Sequence, residues 1–146
     1  MGAIVLKSLE EIELIRESAL IVSKTLGILA SEIKPGITSL KLDQIAEAHI
    51  RDYGAEPGFL GLYDFPNTLC VSPNSHVVHG IPNKNKIIKD GDLVKIDTGA
   101  YLDGFHGDSC ISICVGEVSE QAQKLSDVAL KALFAGLSKI KSGNTC

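Results

Sequence analysis

The chain is poor in aromatic residues, which fill 5% of its 146 positions, and it carries no excess of positive charge. A formal net charge of −4 with so few stacking rings leaves no footprint for DNA or RNA. No run of 18 or more apolar residues occurs, so no segment reads as a membrane-spanning helix. The first residues lack the basic stretch and apolar block of a secretory signal. Cys70, Cys110, Cys114 and Cys146 form no Cys-x-x-Cys pair, which speaks against a structural zinc site. Cys110 and Cys114 fall on one face of a strand but too far along it to bond, so reduced thiols in a cytoplasmic protein are expected. Internal repeats and low-complexity tracts are also lacking. What is present is 45% apolar content in a length suited to one domain, enough for a core.

One stretch, residues 91–110, reads as two β-strands around Asp103-Gly104, a dipeptide that tolerates the positive φ of a tight hairpin turn. With those two residues at the corner, Leu102 faces Phe105 and Gly99 faces Asp108. Asp97 then shares a sheet face with Asp108 as its diagonal neighbour, with Cβ atoms roughly 7–8 Å apart or less. The glycines at 99, 104 and 107 leave room for a bulge that would draw the two carboxylates closer. Leu93, Val94 and Ile96 before them, and Ile111, Ile113 and Val115 after, make the surroundings apolar. Two unpaired carboxylates on a half-buried face repel each other and tend to keep one proton. A divalent cation removes that conflict, and two carboxylates can bridge a metal pair. Alternatively, Asp97 and Asp108 cap turns or pair with lysines. The hairpin alone leaves both readings open.

The remaining pattern predicts an α+β chain. Ser8-Leu9-Glu10-Glu11 fits a capping box. Ile12, Ile15, Ala19, Val22, Leu26, Leu29 and Ile33 follow in steps of three and four, giving one apolar helical stripe that Lys34-Pro35-Gly36 stops. Thr38 caps a second helix over roughly Ser39 to Tyr53, with Leu42, Ile45, Ala46 and Ile50 inward and Gly54 just past its end. Asn67 to Ser72 predicts a strand, Pro73-Asn74-Ser75 its turn, and His76 to Ile81 a second short strand ending at Pro82. Val115 to Val118 closes the sheet segment. Ser119 then caps a third helix to about Lys141, with Ala122, Leu125, Val128, Ala129, Ala132, Leu133, Leu137 and Ile140 inside.

His76 and His79 lie three apart, so in a strand they face opposite sides and at most one meets the aspartates. Gly80 permits close backbone approach and favours His79. A histidine beside metal ions can donate a hydrogen bond to a developing oxyanion or to a scissile amide. Otherwise His79 is a satisfied histidine at a strand end. His106 has the parity of Asp108 and is a ligand, an outer donor or a passive neighbour. His49, alone on a helix, reads as structural. Ala55 to Phe65, with Phe59, Leu60, Leu62 and Phe65, reads from its residues as a loop tucked over the core. Asn83-Lys84-Asn85-Lys86 reads as a solvated turn ahead of a contact with ribosomal RNA.

Ile96-Asp97, a ten-residue interval and Gly104-Phe105-His106-Gly107-Asp108 together resemble the first metal-ligand segment of the type I methionine aminopeptidases. Val78-His79-Gly80-Ile81-Pro82 is similar to the catalytic-histidine motif that precedes it in that family. The resemblance runs over nearly the whole chain. It implies a pita-bread fold, of which this chain would be the first half, with antiparallel hairpins and packed helices. It implies Asp97 and Asp108 as ligands of two divalent metal ions (Co, Mn, Fe or Zn). His79 becomes the catalytic residue and touches substrate. Phe59, Leu62, Phe65 and Cys70 would line the pocket for the substrate's methionine side chain, which should be apolar and adaptable. Leu62 departs from the family, which commonly places a tyrosine there. No chemistry is implied for His106.

The implied activity is metal-dependent removal of the amino-terminal methionine from nascent polypeptides with a small second residue. The setting would be the cytoplasm, the enzyme a monomer when full length, and the ribosome its one large partner, with no DNA and no membrane. The resemblance also makes residues 1–146 a single domain forming the amino-terminal part of a catalytic domain. A histidine ligand and two glutamate ligands are expected after Cys146, so this chain would supply two of five ligands and turn over little alone. Two competing readings remain. An X-prolyl peptidase of the same fold is disfavoured by the Val-His-Gly-Ile-Pro segment and by the lack of a large amino-terminal domain. A non-catalytic pita-bread binding module is disfavoured by the retention of Asp97, Asp108 and His79.

Overall fold

Ser8 opens helix α1 (Leu9–Glu32) with a reciprocal cap: its hydroxyl accepts from the Glu11 amide, and the Glu11 carboxylate accepts from the Ser8 amide. The chain is seen here as a computed structural model that describes residues 4–145. Helix α2 (Ser39–Asp52) starts at Thr38, whose hydroxyl accepts from the Lys41 amide at 3.1 Å, and is followed by Gly54 at φ +75°. Leu42, Ala46 and Ile50 on α2 are fully buried. On α1 the buried stripe is Ile21, Val22, Leu26 and Leu29, with Ser18 and Thr25 among them.

That stripe is rotated from the one the spacing predicts: Ile12 is exposed, and Ile21 is buried instead. The cause is a backbone contact. A Cβ placed on Gly107 would stand 2.6 Å from the Ala19 amide nitrogen and the Ser18 carbonyl carbon. The Ser18 hydroxyl donates to the Phe105 carbonyl at 3.0 Å. Helix and strand touch so closely there that small residues, not large apolar ones, must line the contact.

Four antiparallel strands form the sheet, β1 (Glu56–Pro57), β2 (Leu69–Pro73), β3 (Leu93–Leu102) and β4 (Phe105–Cys114). The central strand β3 pairs with β1 and β2 along one side and with β4 along the other. The hairpin turns at Asp103 and Gly104, both at positive φ, as expected. Pairing runs unbroken from Leu102↔Phe105 to Leu93↔Cys114, so the anticipated bulge is not there. Val94, Ile96, Thr98 and Ala100 of β3 face the core with Leu69 and Val71 of β2. Leu93, Lys95, Asp97, Gly99 and Tyr101 alternate to the other face.

Other expectations are corrected. The segment His76 to Ile81 is not a strand. His79 sits at φ +57°, outside extended geometry, and the segment meets the middle of β2 through Gly80 in place of a ladder. Strand β2 begins at Leu69 and continues through Pro73, and β4 ends at Cys114, before Val115. Helix α3 spans Glu120–Leu137, starting at the Ser119 cap but ending short of Lys141. None of its residues is buried: Leu125, Val128, Leu133 and Leu137, expected inside, are exposed, and so is Ile140 beyond its end. The helix forms as the periodicity predicts, but beyond a slight contact with β4 its apolar stripe is left exposed among the described residues. Cys70, Cys110 and Cys114 are free thiols, and Cys146 lies outside the described residues. Among the described residues no helix is long and apolar enough to cross a membrane.

Candidate metal and substrate site

The open face of the sheet places chemistry in rows. Cys70 of β2, Asp97 of β3 and Cys110 of β4 are in register, and Asp108 faces Gly99 one step along. Residues directly opposed in an antiparallel pair project to one side. The two aspartates therefore converge on the face that helices α1 and α2 do not cover. Burial, and then the neighbouring charge of Asp108, push the Asp97 carboxyl up to about 6, with His79 pulling the other way. Neither aspartate pairs with a lysine: among the described residues the ion pairs are Arg16–Glu13 and Arg51–Glu47.

A cleft of about 570 Å³ opens at this point, lined by Phe59, Leu62, Tyr63, Phe65, Cys70, His79, Ile81, Asp97 and Asp108. Every site residue expected from the sequence is in it. Phe59 reaches the cleft because Gly99 is bare: a Cβ there would come within 3.0 Å of the Phe59 ring. The Gly58 amide donates to the Gly99 carbonyl at 2.8 Å and holds the loop in place. Beyond Phe59 the chain makes a self-bonded turn, Leu62–Asp64, in which Gly61 donates to Phe65 and Phe65 donates to Leu62. Tyr63 and Asp64 within it lie at φ 49° and 63°. Burial first, and then the charges of Asp97, Cys110 and Asp108, push the Cys70 thiol up to about 11. Cys70 is thus a neutral, apolar wall, since a metal would want the thiolate. Burial likewise raises the Cys110 thiol.

The other histidines are elsewhere. His106 stacks on Tyr101 with ring centroids 4.7 Å apart and does not line the cleft. His49 Nδ1 is 2.9 Å from the Thr25 hydroxyl, a structural contact between α2 and α1. His76 is exposed and outside the cleft. A wider groove of about 710 Å³ at the start of α3, lined by Glu117, Glu120, Lys124, Asp127 and neighbours, mixes both charges and converges on nothing.

Two lining residues were missed. Ile81 sits inside the Val-His-Gly-Ile-Pro segment, and Tyr63 inside the aromatic loop. Either could have been found by asking which large side chains flank the expected ones. A third omission, Asp43 on α2, left no signal: its buried carboxylate accepts from Asn67 Nδ2 at 2.7 Å and from the amides of Thr68 and Leu69. Those bonds pin the start of β2, which carries Cys70 into the cleft wall.

Among the described residues no three His, Cys, Asp or Glu side chains close into a cage for an ion. The donor set nonetheless suits a hard divalent cation: two carboxylates held together against their repulsion, one of them keeping its proton, on a partly desolvated floor.

The chain is similar to known proteins over most of its length. The profile described as metallopeptidase family M24 matches residues 13–146. The methionine aminopeptidase of Clostridium perfringens is 45% identical over 136 residues, covering 93% of this chain and 54% of its own length. Among solved structures, methionine aminopeptidase from Thermotoga maritima superposes with a TM-score of 0.91 at 31% identity, covering 95% of this chain and 55% of that one. The Xaa-Pro dipeptidase from Bacillus anthracis superposes with a TM-score of 0.83 at 28% identity, covering 96% and 38%. The fold is therefore that of the aminopeptidase and prolidase group, as expected. The chain spans about half the length of the curated relatives it matches. From the extent of the profile match and the identity to these relatives, the chain belongs to metallopeptidase family M24.

Proposed function

We propose that these residues serve a metal-dependent aminopeptidase that hydrolyses the first peptide bond of a polypeptide and releases its amino-terminal methionine. The observation that carries the reading is one cleft in which Asp97, Asp108 and His79 meet an apolar wall of Phe59, Leu62, Phe65 and Cys70. Asp97 and Asp108 would hold divalent ions, two in number, together with donors from outside these 146 residues. When bound, such ions bring the pKa of water down toward neutrality and polarise a carbonyl. The wall accepts a long, unbranched side chain with a soft sulfur. His79 donates a hydrogen bond to the oxygen or nitrogen of the scissile amide as charge develops there. Leu62 supplies apolar surface without the hydroxyl that a tyrosine would bring. Nascent chains with a small second residue would be the substrates, the cytoplasm the setting, a monomer the working form, and the ribosome a place of encounter.

The polypeptide as its gene encodes it is expected to release methionine from Met-Ala-Ser. Asp97→Ala and Asp108→Ala should abolish tight binding of Mn²⁺ or Co²⁺ in calorimetric titration. His79→Ala should retain the metal and lose about 10²- to 10³-fold in kcat, the usual cost of one such donor. Unchanged metal affinity in the aspartate variants would defeat the assignment. The likeness to the Xaa-Pro dipeptidase keeps a prolyl-peptide hydrolase as the second reading. Preference for Ala-Pro over Met-Ala substrates would select it.

A further inference from the structure

We propose that Ser72 is a positioning residue for His79: its buried hydroxyl grips the Gly80 peptide and so holds His79 in the backbone conformation that points it into the cleft. The proposal rests on the aminopeptidase reading only for its catalytic consequence. His79 lies at φ +57°, in the left-handed region that a residue with a side chain rarely adopts unaided. Tyr63, Asp64 and His79 are the described non-glycine residues at positive φ that are neither Asn74 nor Asp103, and Tyr63 and His79 both line the cleft. No ladder keeps His79 there, because residues 76–81 form no strand. What keeps it there is the next peptide. The Gly80 amide donates to Ser72 Oγ at 3.0 Å, and the Gly80 carbonyl accepts from the Val71 amide at 2.8 Å. Lys86 Nζ, within 3.4 Å of the Val71 carbonyl and 3.3 Å of the Ile81 carbonyl, ties the same two segments again.

Ser72 is 2% exposed, so no water replaces its hydroxyl if it is removed. Its side chain lies on the face that carries Cys70 and Asp97, opposite Lys95. Gly80 is pressed flush onto this grip: an added Cβ would collide with the Val71 carbonyl and come within 2.9 Å of Ser72 Oγ. The strained backbone, the bare glycine and the buried acceptor thus form one device. It gives an exposed imidazole a fixed root.

The test compares Ser72→Ala and Ser72→Thr with wild type, in the polypeptide as its gene encodes it. In S72A, amide exchange at Gly80 should quicken about three- to tenfold, the worth of one net hydrogen bond. The order parameters of the His79 and Gly80 amides should fall from about 0.85 toward 0.6. Exchange at Leu42 and Ile96 should be unchanged. S72T, which keeps the hydroxyl, should restore both signals. With Met-Ala-Ser as substrate, S72A should lower kcat about tenfold with KM and Mn²⁺ affinity unchanged, a split that a general loss of stability would not produce. Unaltered exchange at Gly80 in S72A overturns the proposal. So does exchange that quickens equally at Leu42 and Ile96, or a loosened His79 with full kcat. If wild type releases no methionine, the aminopeptidase reading fails, and the exchange and order parameters still decide whether Ser72 holds His79.

Discussion

Asp97 concentrates the physical tension of the site in one carboxyl group. With no metal present it titrates near 6, against 3.8 for an ordinary aspartate, because burial and Asp108 both disfavour its charge. Between those values the folded chain holds a proton that the unfolded chain has released. Asp97 therefore adds stability that is fully present below about pH 4 and is lost as pH rises through about 6. Melting temperatures of the metal-free protein across that window should show the decline, and Asp97→Asn should flatten it. Metal binding should weaken as pH falls through the same range, since the ion must displace that proton. Asp43 illustrates the opposite role. Asp43→Ala would leave the Thr68 and Leu69 amides without acceptors, at about 1–3 kcal/mol for each buried group, measurable by denaturant unfolding. The Asp97–Asp108 pair was legible in the sequence because a two-residue turn and strand parity decide it locally. Asp43 and Ser72 were not, because their partners are set by how distant segments meet.

At the scale of elements, the capping box at Ser8, the caps at Thr38 and Ser119, and the hairpin were readable, while the end of α3 at Leu137 fell four residues short of the expected Lys141. The rotation of α1 was not readable. Its buried face is decided by Gly107, 88 positions beyond Ala19, which admits the helix backbone against β4. Gly107→Ala should force α1 off the sheet and cost roughly 1–3 kcal/mol by overpacking, seen as a lower midpoint in urea with unchanged helix content. The strand expected over residues 76–81 failed for a related reason. The paired valines Val77 and Val78 suit a strand, but only a neighbouring edge can make one, and here Gly80 takes the available contact with the middle of β2.

The molecule as a whole is under-covered. Its accessible surface is 9692 Å², where a folded chain of 15.5 kDa is expected to show about 7200 Å². Exposed apolar groups include Leu125, Val128, Leu130, Leu133, Phe134 and Leu137 of α3, and among the described residues β4 leaves its outer edge unpaired. Apolar surface on this scale is uncommon on an isolated monomer. These 146 residues by themselves should self-associate in a sedimentation concentration series, and Leu133→Lys with Phe134→Lys should suppress it. No sequence pattern distinguishes a helix stripe that is covered from one that is bare.

The uninterrupted register of the β3–β4 hairpin also limits how the gene can vary. Every paired position from 93 to 114 keeps its side by counting in twos. Loss of a single codon at the tip would swing Asp108 through the sheet to lie against α1, while loss of two would shorten the arm and leave its orientation intact. Across relatives, length changes at this tip should therefore come in even steps, and a lone odd one should mark a protein that has given up the metal.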